Sequence, residues 1–276
     1  MAYTAATVLL LAICFRTDSC GFPQWASDPW LVNTPHGALD LRTGELRPHR
    51  REDYCTKMLA VAPEQRDCLR WRQFLARVTD GNGGLQAYLQ RVLGYCLTAV
   101  VREHVLFFLF GLGANGKSVF TNSVAGILGD YCKTAPIETF LDSNTDRHPT
   151  DLAGLMGARL VTATETEDGR RWAESKLKSL TGGDVVSARF MRQDFFEYRP
   201  QFKLLIAGNH RPSLRTVDEA MARRFRLLPF TVVIPACGAR QGTDRETSRG
   251  MARNPALDGS RLLGLAIRRA WYPGRR

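Results

Sequence analysis

A phosphate-binding loop is predicted by the sequence GLGANGKS at positions 111–118, which fits the pattern G-x-x-x-x-G-K-S/T. Its glycines allow backbone N–H groups to converge on phosphate oxygens at the start of a helix. In such a loop Lys117 reaches the β- and γ-phosphates, and the hydroxyl of Ser118 ligates Mg²⁺. The pattern predicts a site for ATP or another nucleoside triphosphate with Mg²⁺; the alternative is a glycine-rich turn with a surface lysine. The residues expected to bind the nucleotide are Gly111, Gly113, Ala114, Asn115, Gly116, Lys117, Ser118 and Val119.

A candidate acidic residue follows the strand-like run Arg159–Thr164, which ends in Glu165-Thr166-Glu167. A carboxylate at the carboxyl end of a neighbouring strand can hold Mg²⁺ through water and polarise an attacking water molecule. Glu165 is the first choice. Glu167 is the second, because it points the same way if the strand continues. The alternative is a solvated acidic turn.

Two further positions could serve phosphate chemistry. Asn209 follows the apolar run Phe202–Ala207, and its amide, which both donates and accepts, could orient a water molecule or sense the γ-phosphate. A short helix over Asp218–Arg226 carries three arginines, one of which could stabilise transition-state charge at a neighbouring subunit's ATP. The alternatives are a turn asparagine and a solvated basic face.

Residues 105–235 have the element order of a mainly parallel α/β domain. The buried strand Val105–Phe110 leads into the phosphate loop, and a helix follows it. Two more apolar runs, 158–164 and 203–207, are separated by helical or hairpin sequence. This alternation predicts a P-loop α/β fold.

Residues 28–104 are predicted to form a small, mostly helical domain that precedes the α/β domain. Alternation around Thr43-Gly44 predicts a β-hairpin over Ala38–Pro48. Apolar residues at helical spacing predict helices over about 63–80 and 85–101. Residues 1–27 remain unassigned.

Taken in order, these motifs resemble the C-terminal part of phage and plasmid primases, in which a poxvirus-type helical N-terminal region precedes a superfamily 3 helicase domain. The resemblance covers about residues 30–235. The matching sequences are DPWLVNTPHGALDLRTGELRPH, YLQRVLGYCLT, GLGANGKSVF, ARLVTATETEDGRRW, KLKSLTGGDVVSARF, FEYRPQFKLLIAGNHRP and DEAMARRFRLLPF.

The resemblance implies an AAA+-like ATPase that uses ATP and Mg²⁺, assembles as a ring, usually a hexamer, and translocates on DNA. It assigns Lys117 and Ser118 to the phosphates and Mg²⁺, Glu165 to the family's acidic residue and Asn209 to its sensor. Arg224, or failing it Arg223, matches the arginine that acts in a neighbouring subunit.

The same resemblance implies a hairpin within residues 176–198 that projects into the ring channel. Arg189, Arg192 and Gln193 lie in or beside its tip and are expected to contact single-stranded or forked DNA. Basic groups interleaved with apolar ones suit a sequence-independent grip. The expected function is that of an ATP-dependent DNA helicase module of a phage or plasmid replication protein. The alternatives are a degenerate nucleotide- or DNA-binding fragment and a P-loop kinase for small molecules.

The net charge of +11 comes from arginine, since the chain has 32 arginines and only six lysines. Nine of these arginines, against three acidic residues, lie in residues 236–276, a tail rich in arginine and glycine that lacks the family's amphipathic helices. We hypothesise that a frameshift near codon 236 replaced the native tail. The case for DNA therefore rests on the motifs rather than on global charge.

The remaining composition excludes several classes of protein. With 44% hydrophobic and 24% charged residues, the chain is neither largely disordered nor collagen-like. Its seven cysteines show no C-x-x-C pair, so we expect no zinc site and no disulfide framework. The apolar run Ala5–Phe15 is too short to span a bilayer, so we expect a cytoplasmic protein without a membrane partner.

Overall fold

The N-terminal part of the chain folds into a small antiparallel sheet and two helices. The computed structural model describes residues 28–64, 68–142, 150–165, 171–210 and 219–234. Three strands form the sheet, in the order β1 (Leu31–Thr34), β2 (Gly37–Asp40) and β3 (Leu46–Arg47). β2 and β3 pair antiparallel, which confirms the predicted hairpin.

Helices α1 (Leu69–Val78) and α2 (Gly83–Leu97) follow this sheet. α2 begins where the side chain of Asn82 accepts a 3.0 Å hydrogen bond from the N–H of Leu85, a standard N-cap. It ends four residues before the predicted limit, because Thr98 is already extended, with ψ of 162°. Backbone carbonyls at and just beyond this helix end accept hydrogen bonds from two buried cations, Arg159 and Lys203.

A five-stranded parallel sheet forms the rest of the fold, with helices and a hairpin between its strands. Such a sheet is the mixed α/β, P-loop arrangement that the sequence predicted. The strand order is β10-β4-β9-β6-β5. In chain order the elements are β4 (Leu106–Phe110), α3 (Lys117–Leu128), β5 (Cys132–Thr134), α4 (Thr150–Ala153), β6 (Leu160–Thr164), α5 (Glu174–Gly182), β7 (Val186–Ala188), β8 (Phe196–Tyr198), β9 (Lys203–Gly208), α6 (Glu219–Ala222) and β10 (Phe225–Pro229).

The register of this sheet brings three strand ends to one edge. Phe110 of β4 pairs with Gly208 of β9, and Thr164 of β6 pairs with Ala207 of β9. These strands are continuous apolar runs because a parallel sheet is covered on both faces. The residues that follow β4, β6 and β9 therefore share the carboxyl edge of the sheet, where ligands bind in such folds.

One hydrophobic cluster joins the N-terminal part to the parallel sheet. It contains residues of β1 and β2 together with Phe107 and Leu109 of β4. Trp71 of α1 stacks on Phe120 of α3, with ring centroids 5.7 Å apart and planes 19° apart. The two regions thus share a core across the boundary near residue 105.

Two buried cations complete this junction. The Arg159 guanidinium, just before β6, donates to the carbonyls of Leu31 and Leu97 and lies 4.6 Å above the Tyr131 ring. Lys203, the first residue of β9, has its Nζ 4.9 Å from the Tyr95 ring and donates to two carbonyls of the α2 end, those of residues 98 and 100. We call Arg159 and Lys203 the junction cations. Neither shows an ion pair with a carboxylate among the described residues.

The described residues lack a membrane-spanning helix, a cluster of metal ligands and a disulfide. No helix in the described ranges is long and apolar enough to cross a membrane. Within those ranges no three His, Cys, Asp or Glu side chains lie close enough to hold a metal ion, and the cysteines described are free thiols: Cys55, Cys68, Cys96 and Cys132. The unassigned segment 1–27 and the tail 236–276, including the proposed frameshift, lie outside the described residues.

Candidate functional site

A cavity of about 500 Å³ lies at the carboxyl edge of the parallel sheet, within the size range of small-ligand sites. It brings together the phosphate loop, Glu165 and Asn209, three features that are far apart in the sequence. Glu167 lies outside the described residues. The lining residues are Gly113, Ala114, Asn115, Gly116, Lys117, Ser118, Val119, Thr121, Asn122, Thr164, Glu165, Ala207, Gly208 and Asn209.

The phosphate loop needs glycine at two tightly packed positions. Gly116 has φ of 86°, and a Cβ there would lie 2.7 Å from Cγ1 of Val78 in α1. Gly111 has φ of 151°, and a Cβ there would lie 1.9 Å from the carbonyl oxygen of Phe230. Helix α3 starts directly after Gly116, so its first N–H groups face the cavity. Ser118 and Val119 are exposed in this first turn.

Lys117 is held inside its own loop. Its side-chain Nζ donates to the carbonyl of Gly111 and to Oδ1 of Asn115, the latter at 3.3 Å. Burial lowers the pKa of Lys117 from its ordinary value. A phosphate bound in the cavity would offer this ammonium a charged acceptor, which makes a stronger hydrogen bond than a neutral carbonyl.

Glu165 and Asn209 lie beside each other at the ends of β6 and β9. The N–H of Glu165 donates to the carbonyl of Ala207 at 2.7 Å. A Cβ on Gly208 would lie 2.7 Å from Oε2 of Glu165, so the absent side chain leaves room for this carboxylate. Asn209, the next residue, is exposed to the cavity.

The donor set fits Mg²⁺. The hydroxyl of Ser118 and the carboxylate of Glu165 line one cavity, and both are the hard oxygen ligands that Mg²⁺ prefers. Mg²⁺ usually binds through one or two such groups together with substrate phosphates. Ser118 and Glu165 are therefore the residues that would hold this ion.

Five residues that line the cavity were not predicted from the sequence: Thr121, Asn122, Thr164, Ala207 and Gly208. Thr121 and Asn122 lie three and four residues after Ser118, so helical spacing alone could have placed them on the same face. Thr164 and Gly208 are the last residues of β6 and β9. The parallel register that aligns them is not visible in the sequence.

The two candidate arginines differ sharply in their surroundings. Arg224 is 9% exposed, and its guanidinium donates to the carbonyl of Ala220 at 2.8 Å and to Oγ1 of Thr181 at 3.3 Å. Arg223 is exposed. Because an arginine that serves a neighbouring site must be accessible, this geometry favours Arg223, the second choice of the sequence analysis, over Arg224.

The hairpin expected within residues 176–198 is formed by β7 and β8, whose register pairs Ala188 with Phe196. The tip carries Arg189, Arg192 and Gln193, as the sequence indicated. The guanidinium of Arg189 lies 4.7 Å above the ring of Phe195.

Apolar side chains project from the same tip. Met191 is 71% exposed and Phe195 is 60% exposed. Phe190 stacks on Phe196 with centroids 5.7 Å apart. The base of the hairpin is anchored by Tyr198, whose hydroxyl donates to the carbonyl of Leu152 in α4 at 2.7 Å. A fixed base therefore presents an exposed tip of basic, aromatic and apolar groups.

Comparison with known families identifies both halves of this architecture. Residues 10–80 match the family described as D5 N terminal like, and residues 109–224 match a family of unknown function, DUF5906. The chain joins a D5 N-terminal-like region to a DUF5906 region. These matches confirm the family resemblance predicted from the motifs. The D5 N-terminal-like match begins at residue 10, within the segment that the sequence analysis left unassigned.

Curated relatives of this chain come from large DNA viruses. One, named "Putative helicase 022R", from Frog virus 3 (isolate Goorha), is 30% identical over 215 residues, which cover 74% of this chain and 20% of the relative. Another, named "Putative helicase 121R", from Invertebrate iridescent virus 3, is 25% identical and covers 89% of this chain and 28% of the relative. A putative helicase of Acanthamoeba polyphaga mimivirus is 26% identical and covers 73% and 22%. The chain spans about a quarter of the length of these relatives.

Solved structures support the same fold. The A form apo structure of the NrS-1 C-terminal region has a TM-score of 0.56 to this chain at 13% identity, covering 99% of this chain and 60% of that one. A second apo structure of that region has a TM-score of 0.53 at 15% identity, covering 77% and 48%. At such identities the likeness concerns the fold alone.

Proposed function

We propose that this chain is the ATP-hydrolysing module of a superfamily 3 DNA helicase that acts in the replication of a phage, plasmid or virus. The observation that carries the proposal is the cavity in which the phosphate loop, Glu165 and Asn209 meet at one edge of the parallel sheet. The viral relatives are named as putative helicases, which supports the helicase part of the proposal.

In this proposal the loop N–H groups and Lys117 bind the phosphates of ATP. Ser118 and Glu165 hold Mg²⁺, which neutralises charge on the β- and γ-phosphates. Glu165 also accepts a hydrogen bond from the attacking water, and Asn209 orients that water or contacts the γ-phosphate. Each of these side chains lines the same cavity.

An arginine from a neighbouring subunit completes the site. The backbone of Arg224 pairs with the start of β4, where the N–H of Leu106 donates to its carbonyl at 2.9 Å, whereas the phosphate loop follows the end of β4. Five residues of strand separate these points, or about 16 Å at about 3.3 Å per residue. Arg223 therefore serves the ATP of another copy, and the active form is a ring, which we propose to be a hexamer.

DNA contact is assigned to the β7–β8 hairpin. Its tip combines Arg189, Arg192 and Gln193, which bind phosphates and polar edges, with two exposed apolar side chains: Phe195, which can stack on a base, and Met191, which can make apolar contact with one. Because Asp194 and Glu197 balance the two arginines over residues 186–198, stacking contributes strongly beside charge. The grip is therefore independent of sequence and suits single-stranded DNA.

ATP turnover with and without single-stranded DNA tests this function. Lys117→Ala is expected to abolish DNA-stimulated hydrolysis, because the ammonium that contacts the phosphates is gone. Lys133→Ala, which removes a lysine of β5 outside the cavity, is the matched control and should retain turnover. Undiminished hydrolysis in Lys117→Ala would refute the site.

Size-exclusion chromatography with ATP and single-stranded DNA separates the rival functions. A ring supports the helicase module, an active monomer supports a small-molecule kinase, and an inert monomer supports a degenerate binding fragment. Arg192→Gln tests the hairpin, with the exposed Arg102→Gln as its control. Loss of one phosphate contact should lower the salt slope of DNA binding by about 0.7 to 1. An unchanged slope contradicts the hairpin role.

A further inference from the structure

The side chain of Asn115 is enclosed within the phosphate loop, at 3% exposure. Its Nδ2 donates to the carbonyl of Phe230 at 2.7 Å and to that of Leu112. Its Oδ1 accepts from Nζ of Lys117 at 3.3 Å and faces the N–H of the same residue at 3.5 Å. An amide has two donor hydrogens and two acceptor lone pairs, so these contacts use its whole capacity. The side chain of Asn115 is thus committed to the protein rather than to a ligand.

The carbonyl of Phe230 belongs to a segment that runs along the loop. We call residues 230–234 the β10 extension. The N–H of Phe230 donates to the carbonyl of Phe110 at 2.8 Å, and the N–H of Ile234 donates to that of Ala114 at 2.7 Å. Backbone contacts at both ends therefore flank the Asn115 bond. The loop lies against the extension closely enough that Gly111 cannot carry a Cβ.

Lys117 shares its acceptors with this arrangement. Two of the three donor hydrogens of its ammonium go to the carbonyl of Gly111 and to Oδ1 of Asn115, so the ammonium binds phosphate either with the third hydrogen or by exchanging these bonds. If it exchanges them, the two donor bonds of the Asn115 amide are unaffected, because they run to Leu112 and Phe230. The loop can therefore stay attached to the β10 extension while the lysine moves.

We propose that Asn115 is a positioning residue, which fixes the phosphate loop to the β10 extension through its amide donors and holds the ammonium of Lys117 ready through its amide oxygen. This role rests on the proposed binding of ATP. It is separate from contact with the nucleotide, since it acts through the loop backbone and Lys117. Loss of the amide donors should weaken nucleotide binding even when the acceptor oxygen remains.

Asn115→Asp separates the two halves of the amide. The carboxylate keeps an acceptor for Lys117 but faces the carbonyls of Leu112 and Phe230 without a donor. We expect the affinity for MgADP at pH 8, measured by isothermal titration calorimetry, to fall at least about tenfold below wild type.

Asn122→Asp is the matched control, because it places the same charge in the cavity lining on an exposed residue of α3. Its effect on affinity measures the repulsion between an added carboxylate and the phosphates, so the larger loss expected of Asn115→Asp measures the missing amide donors. Asn115→Thr, which keeps one hydroxyl donor, covers the case in which Asn115→Asp fails to fold. It should weaken binding about threefold or more at pH 8.

The possible results are distinguishable. Wild-type protein that does not bind MgADP overturns the proposed function. Wild-type protein that binds, together with an Asn115→Asp or Asn115→Thr variant of equal affinity at pH 8, overturns the positioning role alone. An Asn115→Asp defect no larger than that of Asn122→Asp also overturns it, because the added charge alone then accounts for the loss.

Discussion

We expect the stability of the wild-type chain to depend on pH because of Lys203. The substitution Lys203→Met should remove this dependence. Lys203 is 1% exposed, and burial lowers its pKa to about 7 from an ordinary 10.5. Between these values the unfolded chain binds a proton that the folded chain releases. Stability therefore rises as the pH increases from about 7 toward 10.5, and is lost as the pH falls through this window.

The magnitude follows from the two pKa values. One pKa unit corresponds to about 1.4 kcal/mol, and near pH 7 the buried amine is half protonated. From pH 7 to pH 8.5 the gain in the free energy of unfolding is about 1–2 kcal/mol, or about 2–4 °C in Tm for a chain of this size. The upper limit avoids the neighbouring thiol of Cys96, whose pKa is raised by burial to about 12 and which acts in the opposite sense above pH 9.

Thermal unfolding followed by circular dichroism at pH 7 and pH 8.5 measures this slope. In Lys203→Met the gain in stability from pH 7 to pH 8.5 should be smaller by about 1–2 kcal/mol, because the titrating group is absent. The carbonyls of Thr98 and Val100 lose a donor at every pH, which lowers stability equally and leaves the slope unaffected. Lys133→Met, on the partly exposed strand β5, is the control and should keep the wild-type slope. Parallel slopes in wild type and Lys203→Met would refute the reasoning.

Four further variants test the site and the core. Gly208→Ala places a Cβ 2.7 Å from the carboxylate of Glu165 and 2.5 Å from Cζ of the buried Phe108, so Tm should fall. In the protein that remains folded, kcat for ATP hydrolysis should fall at least about tenfold while ATP binding, followed by calorimetry, changes less; equal losses in both would contradict this. Arg223→Ala should abolish DNA-stimulated hydrolysis with Tm unchanged, whereas Arg224→Ala should lower Tm because the bond to Thr181 is lost; the reverse pattern would restore Arg224 as the trans-acting residue. Trp71→Ala should destabilise the chain by about 3–5 kcal/mol in urea unfolding, because it empties the contact between α1 and α3.

Much of this fold is predictable because local patterns specify it. The apolar run before GLGANGKS can only be a buried strand, and the loop requires a helix after it, as β4 and α3 show. Parallel strands place their carboxyl ends at one edge, which is why Glu165 and Asn209 meet the loop. The hairpin within residues 176–198 was implied by the family resemblance rather than by local pattern, and β7 and β8 form it there.

The features that the sequence did not predict depend on contacts between residues that are distant in the chain. Arg159 and Lys203 resemble surface charges at strand ends, yet both are buried, because carbonyls 62 and 105 residues away accept their hydrogen bonds. Arg224 was preferred for catalysis, but its side chain is occupied by Thr181, 43 residues earlier. The commitment of Asn115 to Phe230 spans 115 residues. Sequence spacing carries no information about such pairs.

Because of the junction cations, sequence changes are tolerated better on the N-terminal side of this contact than on the side of the parallel sheet. Their acceptors are main-chain carbonyls, so the side chains of Leu31, Leu97 and Thr98 do not provide the bonds. Substitutions there that preserve the backbone path leave the acceptors in place. The cations themselves have no such freedom, because only a long basic side chain reaches across. The N-terminal region can therefore change in sequence while remaining attached to the same two strands, β6 and β9, which Glu165 and Asn209 directly follow.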